Sequence, residues 1–356
     1  MVKSAKTYIS TILIAVWAFT LASCDSFIFE EEGDCSITYK IKFCYDKNLK
    51  WADAFPSEVK SVRLYAFDSH GVFVKDFSAK GEILAKPDYY MNLDLPAGDY
   101  KLVSWCGLEN EGTEEESFTV PQPVEGITTI EELTCLLNTK SNGDMECSDT
   151  RLYFLYHGYM EVTLPEGQGG QEYEYTMYLT KNTNHIRIIL QELSEEEGMN
   201  ADNYEISIEA ANGFMAYDNT LLGNTKVTYT PWSQLATEAG LGKEDVADGS
   251  LKYVEGLVAD LSVGRMMEEH KDDLMLTIRD SKSQETIIAK VPIIQYALLS
   301  KEYYEQAYNH SMSNQEFLDR EDEYVLTFFL YKGKWIDSYI YIHSWRVVLH
   351  EYGLGT

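Results

Sequence analysis

Leu21–Cys24 reads LASC and sets a thiol at the exit of an apolar run. Upstream, MVKSAK carries Lys3 and Lys6 and no acid, and Tyr8–Phe19 (YISTILIAVWAF) is almost wholly apolar. A basic start, a short apolar middle and small residues at the exit describe a secretory signal peptide over residues 1–23. The uncharged run up to Ser23 is shorter than the roughly 20 apolar residues that a spanning helix needs. A short membrane anchor or a buried helix is the competing reading. Asp25 and Glu30–Glu32 follow too closely to favour it. Cys24 is the reactive group at this point in the chain, its thiolate being the nucleophilic form. The acidic stretch 24–34 then reads as a solvated tether, as charge runs usually do.

Other reactive constellations are missing. G-x-S-x-G, H-E-x-x-H, a P-loop and an EF-hand loop do not occur. His343 and His350 share a strand neighbourhood but lack a third ligand, so surface or core histidines are the better reading. Carboxylates are so numerous that no pair stands out at a glycosidase-like distance. No catalytic, cofactor-binding or metal residue is assigned, and an enzyme is not expected. Asp plus Glu number 58 against 29 Lys plus Arg, a net charge of −29 that argues against a nucleic-acid partner. Six cysteines are present. With Cys24 modified, Cys35, Cys44, Cys106, Cys135 and Cys147 remain, an odd number that leaves at least one thiol free or paired between chains. Cys135 and Cys147 make a plausible local disulfide, and Cys44 and Cys106 lie in strand-like runs and read as core.

The elements that must carry these residues are mostly strands. Tyrosine is abundant at 26, with 14 Phe and 6 Trp, and aromatics favour half-buried pleated surfaces. Ser36–Asp46 (SITYKIKFCYD) alternates Ile37, Tyr39, Ile41, Phe43 and Tyr45 with polar neighbours, the period of a half-buried strand. Val59–Asp68, a turn at Asp68–Gly71 and Val72–Phe77 predict a hairpin. Tyr89–Leu95, a PAGD turn at Pro96–Asp99 and Tyr100–Trp105 continue the pattern. Thr128 with Glu131 predicts a capping box that opens a short helix over Ile130–Leu137. Pro165–Gly170 (PEGQGG) is the linker candidate, and strands resume beyond it. Ala297–Asn309 predicts a helix. Tyr324–Leu330, a turn at Lys332–Lys334 and Ile336–Leu349 predict the last hairpin. Many short strands with Gly/Pro turns imply an all-β chain of two tandem β-sandwiches, 35–170 and 171–356, with a few short helices.

LASC resembles the bacterial lipobox. That resemblance implies that Cys24 becomes the mature N-terminus and carries a thioether-linked diacylglycerol and an N-acyl chain. An ordinary cleaved signal with an incidental cysteine is the alternative. Acid close behind such a cysteine is similar to a surface-export signal of Bacteroidetes lipoproteins, and simple tether solubility explains it nearly as well.

Five further stretches carry a broader resemblance. YKIKFCYDKN (Tyr39–Asn48), VRLYAFDSHG (Val62–Gly71), LDLPAGDYKLVSWCGL (Leu93–Leu108), LTKNTNHIRIIL (Leu179–Leu190) and DEYVLTFFLYKGKWI (Asp322–Ile336) together resemble the FimB/Mfa-type anchor family of the Bacteroidetes fimbrillin superfamily. The resemblance implies two transthyretin-like (Greek-key) sandwiches. It also implies an outer-membrane lipoprotein, a minor fimbrial subunit that anchors or terminates a fimbria built by strand exchange and supports cell adhesion. Its partners would be a fimbrial stalk subunit and, through acyl chains on Cys24, outer-membrane lipid. Stalk subunits of the superfamily lose their first strand to cleavage at a preceding arginine. Here no Arg precedes Arg63, so the Ser36–Asp46 strand is expected to stay. The alternative function is a surface lipoprotein that binds glycans through exposed aromatics. Labelling with a palmitate analogue tests the Cys24 reading: the wild type takes up label, Cys24→Ala does not, and label retained in the variant removes it.

Overall fold

The computed structural model describes residues 37–109, 116–143, 145–167, 170–194, 199–223, 226–241, 252–342 and 345–348. Cys24, Cys35, His343 and His350 lie outside them. Residues 39–165 and 174–356 form one compact unit. The described residues 37–38, 166–167 and 170–173 belong to another, in which the Thr38 N–H donates to the Gln171 carbonyl (3.0 Å).

Strand β1 (Thr38–Cys44) leads through a one-turn helix, α1 (Phe55–Glu58), into the hairpin β2 (Ser61–Asp68) and β3 (Phe73–Lys80). Next come β4 (Met91–Leu93), β5 (Gly98–Cys106), β6 (Phe118–Thr119), β7 (Thr134–Leu137), β8 (Lys140–Asn142), β9 (Met145–Ser148) and β10 (Tyr156–Leu164). After them run β11 (Glu172–Tyr178), β12 (Thr180–Lys181), β13 (Asn184–Glu192), β14 (Tyr204–Ala210), β15 (Phe214–Ala216), β16 (Val227–Tyr229), β17 (Ser233–Leu241) and β18 (Lys252–Val263). The chain ends through β19 (Met275–Asp280), β20 (Thr286–Pro292), helices α2 (Ile293–Leu298), α3 (Lys301–Tyr308) and α4 (Asn314–Arg320), then β21 (Glu323–Tyr331), β22 (Lys334–Ile342) and β23 (Trp345–Val348). The all-β expectation with few short helices holds.

In the first half, β1 sits between β11 and β4, and a second sheet runs β12-β10-β5-β2-β3. The strands β2 and β5 are buried on both faces. Tyr65, Phe67, Val103 and Trp105 join a continuous core that runs into the second half, with Ile186, Leu257 and Phe328 among its members. Val62, Leu64, Ala66 and Leu102 occupy the opposite face, and like the inward row of β1 (Tyr39, Ile41, Phe43) they are buried outside that core. A sheet buried on both sides reads as a near-continuous apolar run, and VRLYAF in β2 is one.

The second half has two six-stranded sheets, β17-β18-β13-β21-β22-β23 and β20-β19-β14-β16-β9-β8. The pairs β13–β21 and β9–β16 are parallel. Two strands of 171–356 therefore pair with strands from before Pro165: β16 with β9, and β15 with β7. This excursion from before Pro165 is hydrogen-bonded to strands that follow it.

Two local expectations are corrected. Ile130–Leu137 is not a helix: a 3-10 turn at Ile130–Glu132 gives way to β7. Within β7, Cys135 and Leu137 point inward and Leu136 outward, and pairing with β6 and β15 overrides the local helical signal. The capping box is present one residue later, on Thr129 and Glu132, because the Thr128 hydroxyl accepts from the Val124 N–H instead (2.8 Å). Cys135 and Cys147 are both free thiols on strands of different sheets.

Gly107 ends β5 at φ +88°, and a Cβ there would lie 1.9 Å from the Phe154 carbonyl oxygen. Gly107→Ala is therefore expected to destabilise the fold by at least ~2 kcal/mol in urea unfolding. A change below ~0.5 kcal/mol would show that this turn yields easily.

Candidate functional site

The residues around the exit of β1 are held by several side-chain contacts. The strand is central in its sheet, so both its edges are occupied. Arg63, the first arginine, lies inside β2, with its guanidinium bonded to Asp76 (3.0 Å) and Gln122 (2.6 Å). It is held in a sheet and offers no loop ahead of β1.

Beyond β1 the chain makes a tight loop. The Tyr45 N–H donates to Asp53 Oδ1 (3.0 Å), and the Asn48 side-chain amide donates to the Tyr45 and Ala52 carbonyls (3.0 and 2.8 Å). Trp51 sits at φ +53°, a strained conformation for a non-glycine residue that persists only where neighbours impose it. One of those neighbours is Arg320 at the end of α4. Its Nη1 donates to the Asp46 and Asn48 carbonyls (3.0 and 3.4 Å), and its guanidinium lies 3.9 Å from the Trp51 ring centroid. His310 meets the same ring edge-on at 4.5 Å. Glu316, one turn back on α4, accepts from Arg320 Nε (3.0 Å) and fixes the fork.

Beneath this contact lies a buried polar seam. Lys181 is 4% exposed at its side chain. Its ammonium pairs with Asp322 and with Glu58 (3.4 Å), and it sits 3.5 Å from the Phe154 ring centroid. The Tyr156 hydroxyl donates to the same Glu58 (2.9 Å), and Tyr45 packs edge-on against Tyr156 at 4.9 Å. Burial, with Glu58 close by, pushes the Tyr156 phenol far above its ordinary value. Asn182 and Asn219 exchange amide bonds (2.6 and 3.1 Å), and Arg265 donates to Asn182 (2.9 Å) while pairing with Asp319 (3.0 Å). Burial lowers the Arg265 guanidinium, and Asp319 opposes that. His157 bonds through Nε2 to the Tyr217 carbonyl (2.7 Å). A carbonyl only accepts, so Nε2 carries the proton. Burial pushes this imidazole down to about 3, and the ring is neutral. Buried charges need partners that satisfy them, and here the partners come from both halves of the chain.

Among the described residues, no group of three or more His, Cys, Asp or Glu could hold a metal ion. No described helix is long and apolar enough to cross a membrane. A separate open cleft of about 790 Å³ lies beside β9, with Phe154, Trp232, Arg151, Ser148, Asn138 and Ser117 on its walls. The Ser148 hydroxyl and the Trp232 indole N–H are buried without a hydrogen-bond partner among the described residues. An unsatisfied buried group costs about 1–3 kcal/mol. Arg151 lies over the Trp232 ring at 5.5 Å.

The sequence reading pointed to β1 and to Cys24, and only the first is described. It missed Arg320, Trp51 and Lys181. The signal for Lys181 was the polar KNTN interruption between two apolar runs in LTKNTNHIRIIL.

The sequence model for fimbrillin-A associated anchor proteins Mfa1 and Mfa2 matches residues 31–351. The chain belongs to this family. The family is one of fimbrial anchor proteins rather than enzymes. Its minor fimbrium anchoring subunit Mfa2 from Porphyromonas gingivalis is 24% identical over 221 residues, 62% of this chain. The match spans 64% of that relative's length. Among solved structures, a candidate adhesin from Bacteroides thetaiotaomicron is 31% identical, with a TM-score of 0.72 over 90% of this chain and 100% of that one. A candidate polysaccharide-binding protein from the same species is 24% identical, with a TM-score of 0.71 over 89% and 99%. The fimbrial anchor protein Mfa2 from P. gingivalis shares the fold at 16% identity, with a TM-score of 0.61 over 89% and 100%. The β-sandwich class expected for the anchor family is thus the fold of this chain.

Glu321 precedes Asp322 of the seam. Burial pushes its carboxyl up to about 8, and Asp322 adds to this against hydrogen bonds from Tyr304 and the Glu323 N–H. A folded-state value above the ordinary 4.5 means that the native state holds the proton more tightly. The resulting stability is full below about 4.5 and is lost as pH rises through about 8. Relative to wild type, Glu321→Gln is expected to gain roughly 2–4 kcal/mol of unfolding free energy between acid and alkaline pH. Parallel pH–stability curves would refute the shift.

Proposed function

We propose that the chain is a lipid-anchored minor fimbrial subunit at the bacterial outer membrane, which anchors or terminates a fimbria built by strand exchange. One observation carries the reading for a member of the anchor family: β1 is in place and central in its sheet, and no arginine precedes it. The groove that an incoming strand would fill in the first sandwich already holds its own strand. Unpaired sheet edges accept extended segments, and a chain that keeps β1 withdraws that edge from its neighbours. Acyl chains on Cys24 hold the protein to the membrane, each buried methylene contributing about 0.8 kcal/mol and more than one chain making the attachment stable. The stretch 24–34 is the tether, and the sandwiches 35–170 and 171–356 are laced together by the seam and by β7 and β9. The partner is a fimbrial stalk subunit, and the outcome is cell adhesion.

A second reading, a surface lipoprotein that binds glycan, is favoured by the cleft of about 790 Å³, a size within the range of small-molecule sites. The name of the polysaccharide-binding structural neighbour points the same way.

Mass spectrometry of the mature protein separates anchor from stalk behaviour. The expected N-terminal peptide begins at a lipidated Cys24 and the chain retains β1. Loss of residues through Asp46 would defeat the anchor reading. Deletion of the gene is expected to release fimbriae into the medium, whereas unchanged fimbriae with lost growth on carbohydrate would favour the second reading.

A further inference from the structure

We propose that the cleft beside β9 binds an oligosaccharide bearing a carboxylate, and that Arg151 is the partner of that carboxylate. The proposal rests on the glycan reading of this cleft and names the sugar class that it takes. Three observations carry it.

The first is charge. The chain holds 58 acidic residues against 29 basic ones, so a cation is readily paired. On the cleft walls Lys140 pairs with Asp149 (2.7 Å). Arg151 is exposed, and among the described residues no carboxylate lies within ion-pair distance of it. Glu116 is the remaining charge on the walls and selects against anions placed on its side.

The second is shape. The Arg151 guanidinium lies over the Trp232 ring at 5.5 Å, and His185 stacks on the same indole at 5.9 Å. A guanidinium supported by an aromatic face keeps its N–H edge for a bidentate carboxylate, which a lysine would not match.

The third is the lining of the walls. Phe154 is 44% exposed and offers an apolar patch for the C–H face of a pyranose. Ser117 and Asn138 are held in place by bonds to the Tyr153 N–H (3.1 Å) and the Glu116 carbonyl (2.7 Å). Walls of short hydroxyls and amides suit a sugar better than the apolar side chains of a peptide.

The test titrates the full chain in detergent with tetragalacturonate, with its carboxyl-reduced neutral counterpart and with tetraglutamate. Tetragalacturonate is expected to bind about tenfold tighter than the neutral oligomer, the size of one charge-assisted contact. Arg151→Ala should bring it down to the neutral level, Arg151→Lys should recover only part of the gap, and the melting temperature should not move in either variant. Equal binding of both sugars by the wild type overturns the role of Arg151 and leaves the glycan reading standing. Binding of neither sugar, or of tetraglutamate in their place, overturns both.

Discussion

The contact between Arg320 and the loop after β1 is the constraint on which the first strand depends. A strand in the middle of a sheet is secured along its length by ladder bonds, but its exit is free unless something closes it. Here the closure comes from the far end of the sequence. Arg320 reaches the Asp46 and Asn48 carbonyls and covers Trp51, and Glu316 holds the guanidinium plane. A planar fork can satisfy two carbonyls and stack at once, which a lysine cannot do. The strained Trp51 backbone is the counterpart of that fit: the loop adopts it because Asn48 and Arg320 determine the positions on both sides.

The seam near this contact is polar. Lys181, Glu58, Asp322 and Tyr156 form one bonded group, and Asn182, Asn219, Arg265 and Asp319 form another. Such groups add little net stability compared with packed apolar residues, but losing one member leaves a buried charge unpaired. Their effect is to define a single arrangement of the two halves. The apolar core, which runs from Trp105 through to Phe328, provides the cohesion.

The strands were legible where one face is wet. β1 alternates cleanly, and the hairpins at Asp68–Gly71 and Lys332–Lys334 carry turn residues that the structure uses, Lys332 and Gly333 both at positive φ. The family was legible from motifs spread along the chain. The short strand β7 was not, because its Thr-Cys-Leu-Leu sequence follows a real capping box and only pairing with residues far along the chain makes it extended. The free thiols of Cys135 and Cys147 were hidden for the same reason: nearness in sequence says nothing once a chain crosses into another sheet. The seam was invisible because each member is an ordinary charged or amide residue until the fold removes water from around it.

The crossing of β7 and β9 into the second half has a mechanical meaning. A protein held at one end and loaded through another part of its surface transmits force along whatever joins its pieces. Here the pieces are not beads on a string. Parting them requires the parallel β9–β16 ladder to shear at the same moment as the β7–β15 pair and the Arg320 grip. Load is thus shared across several rows of bonds.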